Sequence, residues 1–271
     1  MAGRKRILWL TLITVVFVPA AFVFLLTGST ASIVGAVSSN CSGRLTRFPG
    51  VMLWAWERPE DLRFLDSRKV GVAFLASTIT LRGDGIAVRP RFQPLQVSPG
   101  TALMAVARIE TNAADRPRLS ANQRTKVVSA IEELGNLPGV RGVQVDFDAL
   151  LSERGFYRDL LVDLRRRLPG STALSITALA SWCMGDNWLN GLPVDEAVPM
   201  LFQMGADHQT VLERLKKKGE FRTPACRESV GISLEEELPW VPPARRTYVF
   251  RSRAWSTDAA AVITSRFGRI R

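Results

Sequence analysis

The stretch "GVRGVQVDFDAL", residues 139–150, combines the pattern of a buried strand with two carboxylates. Side chains of a strand alternate between its two faces, which gives this segment one apolar face and one polar face. The apolar face holds Val143, Val145 and Phe147, and the polar face holds Gln144, Asp146 and Asp148. Helical patterns precede and follow the segment, which is typical of a parallel strand covered on both sides. Two acids in such a strand indicate a functional site.

Short β-rich runs alternate with helical patterns from residue 50 onward, and this alternation indicates βα units on a parallel sheet. Eight runs have strand character: 51–56, 70–76, 102–109, 140–148, 173–180, 197–204, 229–234 and 247–253. Eight strands close a TIM-type (β/α)8 barrel, and ~220 residues suit the small end of that fold. The sequence therefore predicts an α/β protein in which residues 45–271 form one barrel domain.

Two helices and one hairpin have specific signals. A capping box at 120–123 precedes an apolar stripe that Gly135 ends, and a second stripe runs from Phe156 to Leu168. Residues 78–91 alternate around a Gly-Asp-Gly turn at 83–85. This pattern predicts a β-hairpin inserted after the second strand, where a helix would otherwise be expected.

The first 44 residues differ in composition from the rest of the chain. Arg4–Arg6 precede Ile7–Leu26, an uncharged apolar run of 20 residues, which is about the length that crosses ~30 Å of hydrocarbon as a helix. The run predicts a membrane anchor with the barrel on the extracytoplasmic side, because the basic cluster stays in the cytoplasm. Small residues at 34–36 leave open a cleaved signal peptide and a secreted or periplasmic domain.

The net charge of +11 does not predict a nucleic-acid partner. Residues 1–40 hold three basic and no acidic side chains, and the remaining excess of +8 is scattered in short runs at helix ends and in loops. Basic residues near helix C-termini complement the helix dipole. A basic surface of this kind suits anionic lipid or acidic polysaccharide, and charge alone does not choose between them.

Cysteine usage agrees with export. Cys183 and Cys226 both fall in loops after predicted strands, so an oxidising compartment favours a disulfide between them and leaves Cys41 over. The chain has three cysteines and one histidine, with no cluster at metal-ligand spacing. Neither a metal nor a cofactor is predicted.

The mouth of the predicted barrel collects polar and aromatic residues. Chemistry in this fold takes place at the C-terminal ends of the strands, which makes Asp146, Asp148 and Glu110 candidate catalytic carboxylates. The candidate substrate-binding residues are Trp54, Trp56, Glu57, Arg108, Gln144, Trp182, Asp186, Gln203 and Trp255. Aromatic faces combined with carboxylates suit sugars, because pyranose rings offer C–H faces as well as hydroxyl groups.

Structural roles remain open for several of these residues. Trp54 or Trp182 fits a core position equally well, since tryptophan is often largely buried. Arg108 can pair with Asp146 or Glu110, and such an ion pair would hold the carboxylates in place without catalysis.

The segment Arg141–Asp148 resembles the fourth-strand signature of family 18 chitinases, Asp-Gly-x-Asp-x-Asp-x-Glu. The resemblance implies that Asp148 protonates the glycosidic oxygen and that Asp146 stabilises an intermediate formed by the substrate's own N-acetyl group. Arg141 and Gln144 stand where the signature has acids, and Asp148 is one methylene shorter than Glu. A shorter acid lies farther from the bond that it must protonate, so the motif favours glycosidase ancestry over chitinase activity.

Longer stretches are similar to the bacterial family called domain of unknown function 3142. They include "VMLWAWERPEDLRFLD" (51–66), "LSITALASWCMGDNWL" (174–189) and "VDEAVPMLFQMG" (194–205), and the resemblance spans residues 50–255. It implies a glycosidase-like protein. The sequence therefore predicts an exported, membrane-tethered glycoside hydrolase-like protein acting on a cell-envelope or extracellular polysaccharide. A non-catalytic glycan-binding or envelope-organising barrel protein is the alternative.

Overall fold

The computed structural model describes residues 43–238, 241–242, 244 and 246–267. Eight parallel strands close into a barrel, in which each strand pairs with the next along the chain and the last pairs with the first. Barrel strands 1 to 8 are Val51–Ala55, Val70–Arg82, Leu103–Thr111, Val140–Asp146, Ala173–Leu179, Glu196–Met200, Ser229–Ser233 and Arg246–Phe250. Each of the eight runs predicted from the sequence overlaps one of them, although strands 2 and 3 extend beyond the predicted ends and strands 6 and 8 begin one residue earlier. The predicted α/β barrel is therefore confirmed.

Helices cover the outside of the barrel. They are Ala121–Gly135, Arg154–Arg167, Ala180–Met184, His208–Lys218 and Thr257–Phe267, and four 3-10 turns lie at Leu151–Glu153, Asn187–Leu189, Gly205–Asp207 and Pro224–Cys226. Ser120 caps the first helix by accepting a hydrogen bond from the Gln123 amide at 3.1 Å. The Gln123 side chain accepts from Leu119 N and donates to the Gly85 carbonyl, so the cap also joins this helix to the hairpin turn.

Barrel strand 2 is 13 residues long and continues across the turn at Gly83 into the antiparallel strand Gly85–Pro90. The sequence predicted a separate hairpin after strand 2. In the structure, the first strand of this hairpin is the upper half of strand 2 itself. A register shift between Leu75 and Ser77 marks the point where this extension begins. Such a bulge bends a strand, which lets the hairpin leave the barrel without a break in the ladder. Two short strands, Glu60–Asp61 and Leu95–Gln96, pair beside it.

The barrel separates two layers of apolar packing. Outward side chains such as Val143, Val145 and Phe147 join the core beneath the helices. Inward side chains, among them Met104, form a smaller cluster inside the barrel. A Cβ atom at Gly142 would lie 2.9 Å from Ala173 Cβ and 3.0 Å from the Ala173 carbonyl, so glycine allows strands 4 and 5 to approach closely there.

A buried polar network forms the floor of the barrel. Glu196 is fully buried and accepts hydrogen bonds from Arg246 at 2.9 Å, Tyr248 at 2.6 Å and Ser229 at 2.6 Å. Arg246 also donates to the carbonyl of Leu45 at 2.7 Å, and this bond ties the segment before strand 1 to the lower end of the barrel. The carboxylate thus has several donors, as a buried charge requires.

Cys183 and Cys226 form a disulfide with their Cα atoms 5.9 Å apart. This is the disulfide that the sequence predicted. The predicted anchor at Ile7–Leu26 and the third cysteine, Cys41, lie outside the described residues. Within the described part of the chain, no helix is both long and apolar enough to cross a membrane.

Candidate functional site

A cleft of about 420 Å³ opens where the barrel strands end. Five residues of the predicted site line it: Trp56, Arg108, Asp146, Asp148 and Gln203. Its apolar lining includes Leu179, Met200, Phe202, Met204 and Phe250. The cleft therefore combines carboxylates with apolar and aromatic surface at the catalytic end of the fold.

Asp146 is the last residue of barrel strand 4 and points into the barrel, where it is 7% exposed. Thr177, on the neighbouring strand 5, donates a hydrogen bond of 2.7 Å to Asp146 Oδ1. Burial raises the pKa of the Asp146 carboxyl, and the Thr177 hydrogen bond and the positive charge of Arg108 offset only part of the increase. Asp146 therefore keeps its proton to a higher pH than an ordinary aspartate.

Asp148 lies two residues beyond Asp146, past the end of the strand, and its side chain is exposed at the mouth. Its neighbours Phe147 and Ala149 are both buried, and the Ala149 amide donates to the Phe147 carbonyl at 2.8 Å. The backbone around Asp148 is thereby fixed while the carboxylate projects outward. Among the described residues, no side chain or amide forms a hydrogen bond or ion pair with it. Its oxygens are accessible to a ligand in the cleft.

Arg108 lies beside Glu110 and Asp146 at the upper part of barrel strand 3. Its guanidinium lies 2.9 Å from Glu110 Oε1 and 3.5 Å from Asp146 Oδ2, so Glu110 is the closer partner. The Arg108 side chain is 37% exposed, which leaves it partly solvated. A smaller cavity of about 210 Å³ next to the cleft is lined by Arg108, Glu110, Asp146 and Asp148. Glu110 therefore belongs to this group as an ion-pair partner of Arg108.

An aromatic group underlies one side of the cleft, with Phe250 at its centre. The ring centroid of Phe250 lies 4.4 Å from Trp54, 4.6 Å from Phe202 and 6.4 Å from Trp56. Trp54 is 1% exposed, so it supports the cleft from below and does not line it. Trp56 and Phe202 are half-buried and present part of their rings to the opening.

Three of the predicted binding residues have partners within the fold, away from the cleft lining. Gln144 is fully buried below Asp146 and donates to Ser175 Oγ at 2.8 Å. Glu57 forms an ion pair with Arg89 of the hairpin. Trp255 is buried and donates from Nε1 to the Trp54 carbonyl at 2.9 Å, so it holds strand 1 from outside.

Trp182 and Asp186 are likewise not part of the cleft lining. The short helix Ala180–Met184 turns Trp182 into the core, where its ring meets Trp188 edge-on at 4.9 Å. Asp186 accepts a hydrogen bond of 2.6 Å from Arg154, whose guanidinium lies over both tryptophan rings. This cluster joins the loop after strand 5 to the helix Arg154–Arg167.

Sequence reasoning did not single out Thr177, Phe202 or Phe250. The position of Thr177 could have been predicted in part from the sequence. Strand residues two apart share a face, so Thr177 points into the barrel if Ser175 does, and it lies level with Asp146 on the neighbouring strand. Phe202 and Phe250 reach the cleft only through the register of strands 6 to 8. Across the described ranges, no three or more His, Cys, Asp and Glu side chains group in a way that could hold a metal ion.

Replacing Asp146 with asparagine is expected to leave the protein at least as stable as the parent at pH 7. Asp146 has a higher pKa in the folded state than in the unfolded state, so the folded state binds the proton more tightly. The folded protein therefore loses stability as pH rises from the ordinary pKa of aspartate toward the raised pKa of Asp146. The advantage of Asp146→Asn should therefore shrink as pH falls and vanish below the ordinary value of about 3.9. Melting temperatures between pH 3.5 and 7.5 measure this.

Asp159→Asn is the matched control, because Asp159 is 59% exposed on the helix Arg154–Arg167. If Asp146→Asn instead destabilised the protein by about 3–5 kcal/mol, Asp146 would be a structural counter-ion for Arg108. Glu110 remains beside Arg108 in the variant, so that loss is not expected.

No protein-family model and no curated protein matches the chain, and membership of domain of unknown function 3142 stays a prediction. Solved structures are similar to it. A Streptomyces coelicolor protein provisionally named chitinase A has a TM-score of 0.52 at 10% identity, over 82% of this chain and 96% of that one. The Bacillus cereus spore cortex-lytic enzyme SleL has a TM-score of 0.45 at 17% identity, over 82% of this chain and 59% of its own.

The chitinase domain of the Clostridium difficile spore coat protein CotE has a TM-score of 0.34 at 10% identity, over 68% of this chain and 49% of that one. At 10% identity the likeness to the Streptomyces structure concerns the fold alone. The chain therefore shares the (β/α)8 barrel fold of the Streptomyces structure.

Proposed function

We propose that this protein is a glycoside hydrolase-like enzyme that acts on a cell-envelope or extracellular polysaccharide. The observation that carries the proposal is the contrast between two carboxyl groups of one cleft. Asp148 is exposed and, among the described residues, unpartnered, whereas Asp146 is buried with a raised pKa. Two titratable groups in such different environments are typical of an acid/base pair.

Asp148 is the proposed acid. It projects from a fixed backbone into the mouth, where a glycosidic oxygen of a bound polymer would lie. The general acid must carry a proton before the bond breaks and must lie within reach of the leaving oxygen. An acid in this role does not need a hydrogen-bond partner from the protein itself before a ligand binds.

Asp146 is the proposed supporting group. Thr177 orients it through Oδ1, and its other oxygen, Oδ2, lies 3.5 Å from Arg108. Both Asp146 oxygens act as hydrogen-bond acceptors within the fold, and its carboxylate can likewise accept a hydrogen bond from the N–H of a ligand amide. That ability agrees with the role that the chitinase resemblance gives to this position, in which the N-acetyl group of the substrate takes part.

The aromatic side of the cleft suits a sugar polymer. Trp56 and Phe202 offer apolar surface for pyranose C–H faces, while Gln203 and Arg108 offer polar groups for hydroxyls. The apolar run Ile7–Leu26 supports a location at the membrane, with the cleft on the extracytoplasmic side. Removal of that run as a signal peptide would give a secreted or periplasmic form of the same enzyme.

A glycan-binding role without hydrolysis is the second candidate, and Arg108 favours it. Its guanidinium lines the same cleft as Asp146 and Asp148 and partly neutralises the acidic group. Asp148 is also shorter than the glutamate of the chitinase signature. Both features would weaken proton donation without weakening sugar recognition.

A polysaccharide panel tests the proposal on the purified full-length chain in detergent. The panel contains polymers with and without N-acetylhexosamine, and both release of new reducing ends and retention of intact polymer are measured. We expect hydrolysis of at least one N-acetylated polymer. Retention without any new reducing ends would support the binding role, and the absence of both would overturn the two candidates together.

A further inference from the structure

A basic surface lies at the N-terminal ends of the barrel strands, opposite the cleft. We define it as the basal patch: Arg44, Arg47, Arg141, Arg165 and Arg166. Arg47 donates to the Ser171 carbonyl at 3.0 Å, and Arg141 donates to the Arg47 carbonyl at 3.0 Å. Arg44 reaches the Gly170 carbonyl at 2.6 Å, and Arg165 reaches the Pro169 carbonyl at 3.0 Å. These bonds join loops before strands 1, 4 and 5 into one continuous surface.

The basal patch keeps a clear excess of positive charge. Arg44 and Arg165 share one carboxylate, that of Asp195, which lies 2.8 Å and 3.5 Å from them. Arg47 is exposed and Arg141 half-buried, and neither meets a carboxylate of the described residues. The Arg166 side chain is 75% exposed, with Asp163 at 3.5 Å on its own helix. The main-chain carbonyls that fix these guanidiniums carry no net charge.

Two further features of the same end select a membrane surface as the partner. The chain enters the barrel there, since residues 43–50 precede barrel strand 1 and Arg246 binds the Leu45 carbonyl. Sixteen residues separate Leu26 from Gly43, a length that spans at most about 55 Å. Leu137, in the turn before strand 4, is 39% exposed and adds an apolar side chain at the same end of the barrel.

We propose that the basal patch docks on the anionic phospholipid headgroups of the membrane that holds the chain. Clustered arginines bind anionic membrane surfaces through their charge, and phosphate oxygens accept from guanidinium donors. The inference rests on the proposed tether. Docking by this end turns the cleft away from the bilayer, toward the polymers outside it. An enzyme of the proposed kind would then act on glycan at one barrel length from the lipid.

Hydrogen exchange of the full-length chain in lipid nanodiscs tests the docking surface. Discs of phosphatidylcholine alone are compared with discs containing phosphatidylglycerol, at low salt and at 0.5 M NaCl. We expect amides of residues 43–50 and 168–172 to exchange several-fold more slowly in the anionic discs. High salt should remove the protection, since charges at this surface are screened. Amides of the cleft loops should exchange equally in both discs.

The double variant Arg47→Gln/Arg166→Gln should weaken docking by about fivefold for each charge removed. Arg82→Gln/Arg253→Gln is the matched control, because it removes two exposed arginines from the cleft end. Equal protection in neutral and anionic discs would overturn the proposal while the tether stands. Equal protection by soluble polygalacturonate in neutral discs would overturn the lipid assignment.

A flotation assay of the same chain distinguishes membrane binding through the tether from membrane binding through the basal patch. Loss of the chain from neutral discs, combined with salt-sensitive binding to anionic vesicles, would overturn the tether and support the patch. Binding to anionic vesicles that the Arg47→Gln/Arg166→Gln variant retains in full would overturn the patch.

Discussion

Asp148→Asn is expected to lower polysaccharide hydrolysis by about 10²–10⁴-fold while leaving the fold intact. Asparagine keeps the size and much of the hydrogen bonding of aspartate but has no transferable proton, and general acid catalysis contributes an effect of this order. Asp148 is exposed and has no partner among the described residues, so its carboxylate does not contribute to the stability of the fold. The free energy of unfolding of the variant should therefore differ from that of the parent by no more than about 0.5 kcal/mol.

The measurement combines initial rates on the polymer found by the panel with thermal unfolding of the same preparation. Asp159→Asn should match the parent in both, because it removes a carboxylate that is 59% exposed on a helix outside the cleft. An Asp148→Asn chain that hydrolyses at the parental rate would exclude Asp148 as the acid. If the chain only binds polymer, the variant should bind as the parent does.

Arg246→Met is expected to cost about 3–5 kcal/mol of folding free energy. The change removes the guanidinium from Glu196, a fully buried carboxylate, and leaves the negative charge on the barrel floor with only two hydroxyl donors. Loss of one partner of a buried pair costs more than loss of both. The double variant Glu196→Gln/Arg246→Met should therefore recover much of the stability.

Thermal unfolding of the full-length chain in detergent measures this effect. For a chain of this size, 3–5 kcal/mol corresponds to a fall in melting temperature of roughly 10 °C. Arg253→Met, an exposed arginine beyond strand 8, is the control and should change little. A fall of less than 1 °C for Arg246→Met would mean that water or relaxation compensates Glu196, contrary to the network described.

The fold was predictable because its signals are local. Each barrel strand is a short apolar run bounded by turn residues or a helical stripe, and these patterns need no knowledge of the partner strands. The extension of strand 2 into the hairpin was not predicted, because the shift at Leu75/Ser77 depends on pairing with strand 3. Glu196 was missed because its role appears only where strands 6, 7 and 8 bring Ser229, Arg246 and Tyr248 to it.

The candidate site was predictable where position along a strand is enough. Asp146, Asp148 and Arg108 reach the cleft because they lie at the ends of barrel strands. Residues farther into the loops were harder to place, because the direction in which a loop side chain points depends on the geometry of the loop. The helix Ala180–Met184 carries Trp182 into the core, and strand 8 ends at Phe250, so Trp255 lies behind strand 1.

The disulfide has a consequence for the cleft, although neither cysteine touches it. The 43-residue separation between Cys183 and Cys226 contains barrel strand 6, the helix His208–Lys218 and the cleft residues Phe202 and Gln203. One flank of the cleft is thus part of a covalent ring, while Asp146 and Asp148 lie outside it. Ring closure limits how far a local opening can extend the chain. Proteases that gain access to this flank would meet a loop whose ends stay joined after a single cut.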